Sequence, residues 1–181
     1  KPVEIQALWL NALKIASRFA PQWEDTFNRG LKSFREKFWN EKVGCLYDVV
    51  DAKHRAGELD ATFRPNQIFA LGGLPFQLLE GGRAKRIVSL VEERLLTPLG
   101  LRSLAPGEPD YKPHYEGGVL QRDGSYHQGT VWAWLMGPFI DAWLKVHPDD
   151  VNGAREFFDG FAAHLAIQLR DFPVTKRLSE R

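Results

Sequence analysis

Apolar residues recur at helical spacing in five stretches of this chain. Between Val3 and Phe19, the residues Ile5, Leu8, Trp9, Ala12, Leu13 and Ala16 advance by alternating steps of three and one. That spacing predicts a helix with this stripe facing inward. Pro21 suits the start of a second helix, whose face carries Trp23, Phe27, Leu31, Phe34 and Phe38. So short a link predicts an αα-hairpin. Gly81 to Leu96 gathers Ala84, Ile87, Val88, Val91 and Leu95 on one side. Gly129 to His147 is apolar nearly all round, with Trp132, Leu135, Met136, Phe139, Ile140 and Trp143 on one stripe and Val131, Trp134 and Leu144 on others. A helix of that character must be surrounded, and Pro138 predicts a kink in it. The last stretch, Val151 to Leu169, is amphipathic through Ala154, Phe157, Phe158, Phe161, Ala162 and Leu165.

Between these helices, Cys45 to Asp51 reads as extended and Pro65 to Leu71 as a short helix. Residues 97–125 hold four Pro and five Gly, and irregular stretches of that length in a compact domain are usually functional. Strand signals are scarce, and no linker or repeat of fixed period divides the chain. Inner helices alternating with outer ones predict an all-α unit of double-layered, toroidal character over residues 1–181.

Composition narrows the function. A formal net charge of +1, with both signs interspersed, leaves no electrostatic footprint for nucleic acid. The single cysteine, Cys45, excludes an internal disulfide and reads as a buried structural thiol. The five His residues show no i,i+4 pair and have no Cys partners, so neither metal nor other cofactor is expected. No apolar run approaches the ~20 residues that span a bilayer, and Lys1-Pro2 opens without a signal-peptide pattern. A cytoplasmic protein with no membrane role is expected. The 6 Trp and 12 Phe must then fill a core or line a cleft.

Residues 126–134, Tyr-His-Gln-Gly-Thr-Val-Trp-Ala-Trp, place hydrogen-bonding groups and indole rings at the entrance to the least polar helix. Buried polar groups without partners are costly, and sugars supply hydroxyl edges for the polar groups and C–H faces for the rings. Tyr126, His127, Gln128 and Trp132 are therefore the strongest candidates for sugar contact. Arg64, Asn66 and Gln67 surround Pro65 at a helix start with free N–H groups, and the two amides both donate and accept. Helix capping is the competing reading there. By residue type alone, Glu4 reads as helix-dipole support and Gln6 as a surface residue. Asp48, Asp51, Asp60, Glu116 and Asp123 read as turn or capping residues. Tyr111 and Tyr115 fit either packing or an aromatic cleft wall.

Five ordered stretches of the chain resemble the C-terminal glucosidase module of glycogen debranching enzymes, the amylo-α-1,6-glucosidases. They are Lys1 to Trp9, Leu46 to Asp51, Arg64 to Gln67, Leu96 to Leu104, and Tyr126 to Trp132. The resemblance covers residues 1–169 and implies an (α/α)6 toroid of six hairpins, of which this chain supplies about half. It turns Glu4 and Gln6 toward glucose hydroxyls. It also implies inverting hydrolysis of α-1,6-linked glucose stubs on glycogen or limit dextrin, with two carboxyls ~6.5–9.5 Å apart. The implied general acid, in a Thr-Trp-Met-Asp segment ahead of Lys1, is not in this chain. The implied base belongs to a Ser-Glu-Ile-Phe-Asp-like segment, where this chain reads Arg170-Asp171-Phe172-Pro173. Residues 170–181 are therefore expected to be a divergent tail and the chain to be an inactive fragment, with no catalytic residue of its own. An incomplete ring would leave apolar flanks open to self-association. The alternatives are a glucoamylase-like or trehalase-like toroid glycosidase, or a non-catalytic half-toroid that binds oligosaccharide or is completed by a partner chain.

Overall fold

Val3–Ser17 forms helix α1 and Gln22–Lys37 forms α2 in a computed structural model that describes residues 1–171, with side chains through residue 168. The four-residue link makes these two helices a packed hairpin. Lys14 reaches across it, donating to Glu24 at 2.7 Å while its ammonium lies 4.9 Å from the Phe27 ring centroid. On α2 the expected face is buried at Phe27, Phe34 and the capping Phe38 and part-buried at Leu31, but Trp23 at the start of the helix is 40% exposed. On α1 it is not. Val3, Ala7, Leu10, Asn11 and Leu13 are buried, whereas Ile5, Leu8 and Trp9 stay about half exposed. The helix is apolar on two sides, and packing against α2 and the Pro65–Ala70 3-10 helix selects the Val3–Ala7–Leu10 side. Asn11 belongs to that side because both ends of its amide are satisfied. Its Nδ2 donates to the carbonyls of Ala7 and Phe76, and its Oδ1 accepts from the Phe76 N–H at 2.8 Å.

The extended stretch predicted after α2 forms two small antiparallel pairs. β1 (Trp39–Asn40) pairs with β2 (Cys45–Leu46), and β3 (Val49–Val50) pairs with β4 (Leu59–Asp60). Cys45 is buried, and that burial pushes its thiol pKa up. Pro65–Ala70 is a short 3-10 helix, close to the expected position. α3 (Gly81–Leu95) buries the five expected residues and Leu90. The long irregular stretch contains β5 (Leu96–Thr97), β6 (Gly100–Arg102) and the short α4 (Val119–Asp123).

The segment read as one helix from Gly129 to His147 has three parts. β7 (Val131–Trp132) adds to β6 with Leu101 opposite Trp132 and Arg102 opposite Val131. One 3-10 turn follows at Ala133–Leu135, and only then does α5 (Met136–Val146) begin. Pro138 explains the register. It falls in the first turn of α5, where N–H groups have no intrahelical acceptor, so it starts a helix instead of kinking one. Gly100, with φ +148°, permits the strand contact, because a side chain there would meet the Trp132 carbonyl. Trp134 is correspondingly not part of a surrounded helix and is 61% exposed. α5 itself is enclosed through Met136, Phe139, Ile140, Ala142, Trp143 and Val146.

The last predicted helix is also broken. α6 (Val151–Glu156), capped by Asp150 accepting from the Gly153 N–H, is separated by Phe157 and Phe158 from α7 (Asp159–Asp171). Phe157 turns edge-on to Phe139 and Trp143, with centroids 5.2 and 5.3 Å away. Gly160 lies so close to Pro98 that a methyl group would overlap its carbonyl. Two packing contacts therefore outweigh continuous helix. The expected tail, residues 170–181, lies almost wholly outside the described residues. The chain is mostly helical, with antiparallel sheets of at most three strands among the described residues. No described helix is long and apolar enough to cross a membrane.

The tightest helix contact supplies a test. A Cβ on Gly72 would come within 2.2 Å of the Pro138 carbonyl oxygen and 2.4 Å of the Ala142 nitrogen, both backbone atoms of α5. Gly72→Ala is expected to lower stability by about 1–3 kcal/mol through overpacking. Gly82→Ala, in open space on α3, should be neutral or stabilising. Thermal melts of the two variants beside the parent check the contrast.

Candidate functional site

Arg64 sits at the N-terminus of the Pro65–Ala70 helix, in extended backbone that Pro65 enforces on the residue before it. Its guanidinium bonds to three protein oxygens. Nη1 donates to the carbonyls of Ser103 (3.1 Å) and His127 (2.5 Å), and Nη2 donates to Gln128 Oε1 at 3.0 Å. Nε lies 3.7 Å from Asp48 Oδ2, an ion pair too long for a hydrogen bond. The neighbouring Phe63 is fixed independently. Its N–H donates to Glu108 Oε1, and the Arg94 guanidinium covers its ring at 4.2 Å while approaching the same carboxylate.

The segment from Ser103 to Thr130 folds back on itself through backbone bonds. Ser103 N–H donates to the Thr130 carbonyl, Lys112 N–H to the Gln128 carbonyl and Gly129 N–H to Ser103 Oγ. Gly129 adopts φ +135° with no room for a side chain against the Lys112 carbonyl. These bonds present Tyr126, His127 and Trp132 together. Tyr126 meets Trp132 edge-on at 4.7 Å and His127 at 4.9 Å, and Tyr115 leans on Tyr126 at 6.1 Å.

A cleft of about 450 Å³ opens between these elements, within the range of ligand sites. Of the nine candidates, Glu4, Arg64, Asn66, Tyr126, His127 and Trp132 line it, drawn from three distant parts of the sequence. Gln128 stands one bond back, accepting from Arg64. Gln67 is buried, and its amide holds the backbone by accepting from the Leu46 N–H and donating to the Arg64 carbonyl. Gln6 lines a different groove, between α1 and α2, beside Trp9 and Arg29. Sequence reasoning missed Phe69, Ser103, Trp134 and Leu135, which also line the cleft. Trp134 was assigned to a buried helix, so only the strand register of β7 could have directed it here.

Glu4 carries the main electrostatic feature. It lies in the first turn of α1, and its Oε2 is buried with no protein hydrogen-bond donor. Asp48 lies close by, and loss of solvation raises its carboxyl to about pKa 7. Arg64 pulls this value down, while the negative charges of Glu4 and Asp60 push it further up. The other carboxylates behave as turn residues. Asp51 pairs with Lys1 and accepts from Gly57, and Asp60 accepts from the N–H and hydroxyl of Thr62. Glu116 and Asp123 are exposed. Tyr111 packs against Gly129 and accepts from Arg102 at 3.2 Å. Among the described residues, no group of three or more His, Cys, Asp or Glu could hold a metal ion.

The domain is mostly helical, and its cleft combines a carboxylate, amide and imidazole groups with aromatic walls. The chain belongs to the amylo-alpha-1,6-glucosidase family, a glycosidase family whose model matches residues 1–174. It is 32% identical over 107 residues to the glycogen debranching enzyme of Saccharomyces cerevisiae. That match covers 54% of this chain and 7% of the yeast protein, so the chain spans a small part of this relative.

The raised Asp48 carboxyl predicts a pH dependence of stability. Between its ordinary pKa of 3.8 and about 7, the folded state holds a proton that the unfolded state releases. Its contribution is therefore fully present below pH 3.8 and is lost as pH rises through about 7. Asp48→Asn removes this titration. The difference between parent and variant stability should slope by on the order of 1 kcal/mol per pH unit across that window, as denaturant melts at several pH values would show. A flat difference would mean that Asp48 titrates normally.

Proposed function

We propose that this chain is the substrate-holding part of an α-1,6-glucosidase domain acting on glucose branch stubs of an α-glucan such as glycogen or limit dextrin. The convergence of Glu4, Arg64, Asn66, Tyr126, His127 and Trp132 on one cleft is the observation that carries this reading. Sugar hydroxyls both donate and accept hydrogen bonds, which suits a lining of carboxylate, amide and imidazole groups. Asn66 and His127 add hydrogen-bonding groups on the same cleft, and Tyr126 and Trp132 add ring faces. Gln6, Gln67 and Gln128 act outside the cleft in this reading, and Arg64 shapes the wall.

The α1–α2 hairpin, together with α3 packed on α5, fits part of a six-hairpin (α/α)6 ring. Inverting hydrolysis by two carboxyls needs an acid and a base on opposite sugar faces. Among the described residues, Glu4 is the one carboxylate lining the cleft. In this reading Glu4 supplies one carboxyl at the cleft, and the described residues bind the glucosyl residue.

Two measurements test this. Titration of the 181-residue chain with glucose, followed by NMR, should show saturable binding that Glu4→Gln weakens by about 10–100-fold, the cost of losing a charged hydrogen bond. The chain should release no glucose from limit dextrin in the same preparation. Binding untouched by Glu4→Gln would remove the carboxylate from the site. Steady glucose release would show that the carboxyls of residues 1–181 suffice for catalysis.

A further inference from the structure

A guanidinium has five N–H groups, and Arg64 spends three of them on the Ser103, His127 and Gln128 oxygens. Its Nε–H makes no hydrogen bond among the described residues and lies 3.7 Å from Asp48 Oδ2. That gap is about 0.8 Å longer than a charge-assisted N–H···O bond. Asp48 is held only by its main chain. Its N–H donates to the Asp60 carbonyl and its carbonyl accepts from the Val3 N–H, both at 2.9 Å, which leaves the carboxyl as the part that can turn toward Arg64. Charged groups from three elements act on it: Glu4 of α1, Asp60 of β4, and Arg64 at the head of the Pro65–Ala70 helix. Burial, seconded by Glu4 and Asp60 against the pull of Arg64, keeps this carboxyl protonated up to about pH 7. A neutral acid across such a gap holds a guanidinium weakly. A carboxylate holds it roughly twice as strongly.

We propose that Asp48 is the positioning residue of the cleft: once its proton has gone to water, the carboxylate closes onto Arg64 Nε, fixes the His127–Gln128 wall and strengthens ligand binding. This rests on the reading of the cleft as a sugar site. Asp48 does not line the cleft and acts through Arg64, whose other bonds carry the segment that presents Tyr126 and His127. Binding and ionisation are linked, so a ligand that favours the closed clamp also draws the proton off Asp48 by an equal factor.

The test compares the 181-residue chain with Asp48→Asn, which copies the protonated carboxyl in shape and charge. In the parent, glucose affinity should rise by about tenfold between about pH 5 and about pH 9, and saturating glucose should lower the Asp48 midpoint by about one pH unit, read from its side-chain carbon by NMR. Asp48→Asn should keep the parent's acid-side affinity at every pH. A purely structural role would instead shift affinity by one factor throughout. His127→Gln is the control for the imidazole in the cleft, and it should weaken binding yet keep the rise. Without sugar, the Arg64 Nε–H should exchange with water about tenfold more slowly in the parent than in Asp48→Asn above about pH 7, and equally in both below about pH 5. A parent affinity that is flat with pH, or the same rise in Asp48→Asn, overturns the proposal and leaves the sugar site standing. A rise abolished by His127→Gln also overturns it, because the imidazole is then its source. If glucose does not bind at all, the sugar-site reading falls, and equal Nε–H exchange at every pH removes the clamp independently.

Discussion

Everything around the cleft depends on the Arg64 guanidinium. A planar fork of five N–H groups can join several acceptors only if they lie near its plane. Here they come from the Ser103 carbonyl on one side and His127 and Gln128 on the other, with Asp48 alongside. Residues separated by 64 positions thereby share one rigid group. A cation this enclosed would be costly without such partners. Asp48 neutralises it only in part, since the carboxyl itself titrates near neutral pH. Neutral carbonyl and amide oxygens therefore do most of the holding, and that makes the clamp directional.

Around this clamp, the chain divides its polar groups between the interior and the cleft. Gln67, Asn11 and Ser103 look like binding residues by type, yet each satisfies backbone groups in the interior. Glu4 is left without a donor although it belongs to the same assembly. Its position in the first turn of α1 favours a negative charge, and the residue lines the cleft. The aromatic residues divide in the same way. Phe139, Phe157 and Trp143 close the core around α5, while Tyr126, Trp132 and Trp134 leave ring surface at the cleft.

Helices whose amphipathicity is one-sided were legible in the sequence. α3 buries the face that its periodicity marks, and α2 does so from Phe27 onward while leaving Trp23 exposed, because a single apolar stripe has one way to leave water. The extended stretch after α2, the short helix at Pro65, and the grouping of residues near 4, 64–66 and 126–132 were legible too, the last through an ordered family resemblance. Periodicity failed where a segment is apolar on more than one side. It could not choose between the two faces of α1, nor see that Val131 and Trp132 would pair with β6 before the helix began.

What only the tertiary structure decided follows from contacts between distant residues. Strand pairing with Leu101 turned Trp134 out of the core and into the cleft. The Arg64 fork drew the side-chain amide of Gln128 away from the cleft, and packing against Phe139 and Trp143 broke the last helix at Phe157. Local spacing encodes which residues can share a face of one element. Which acceptor takes a given donor, and which ring is left facing solvent, depends on elements tens of residues apart meeting, and no local pattern carries that information.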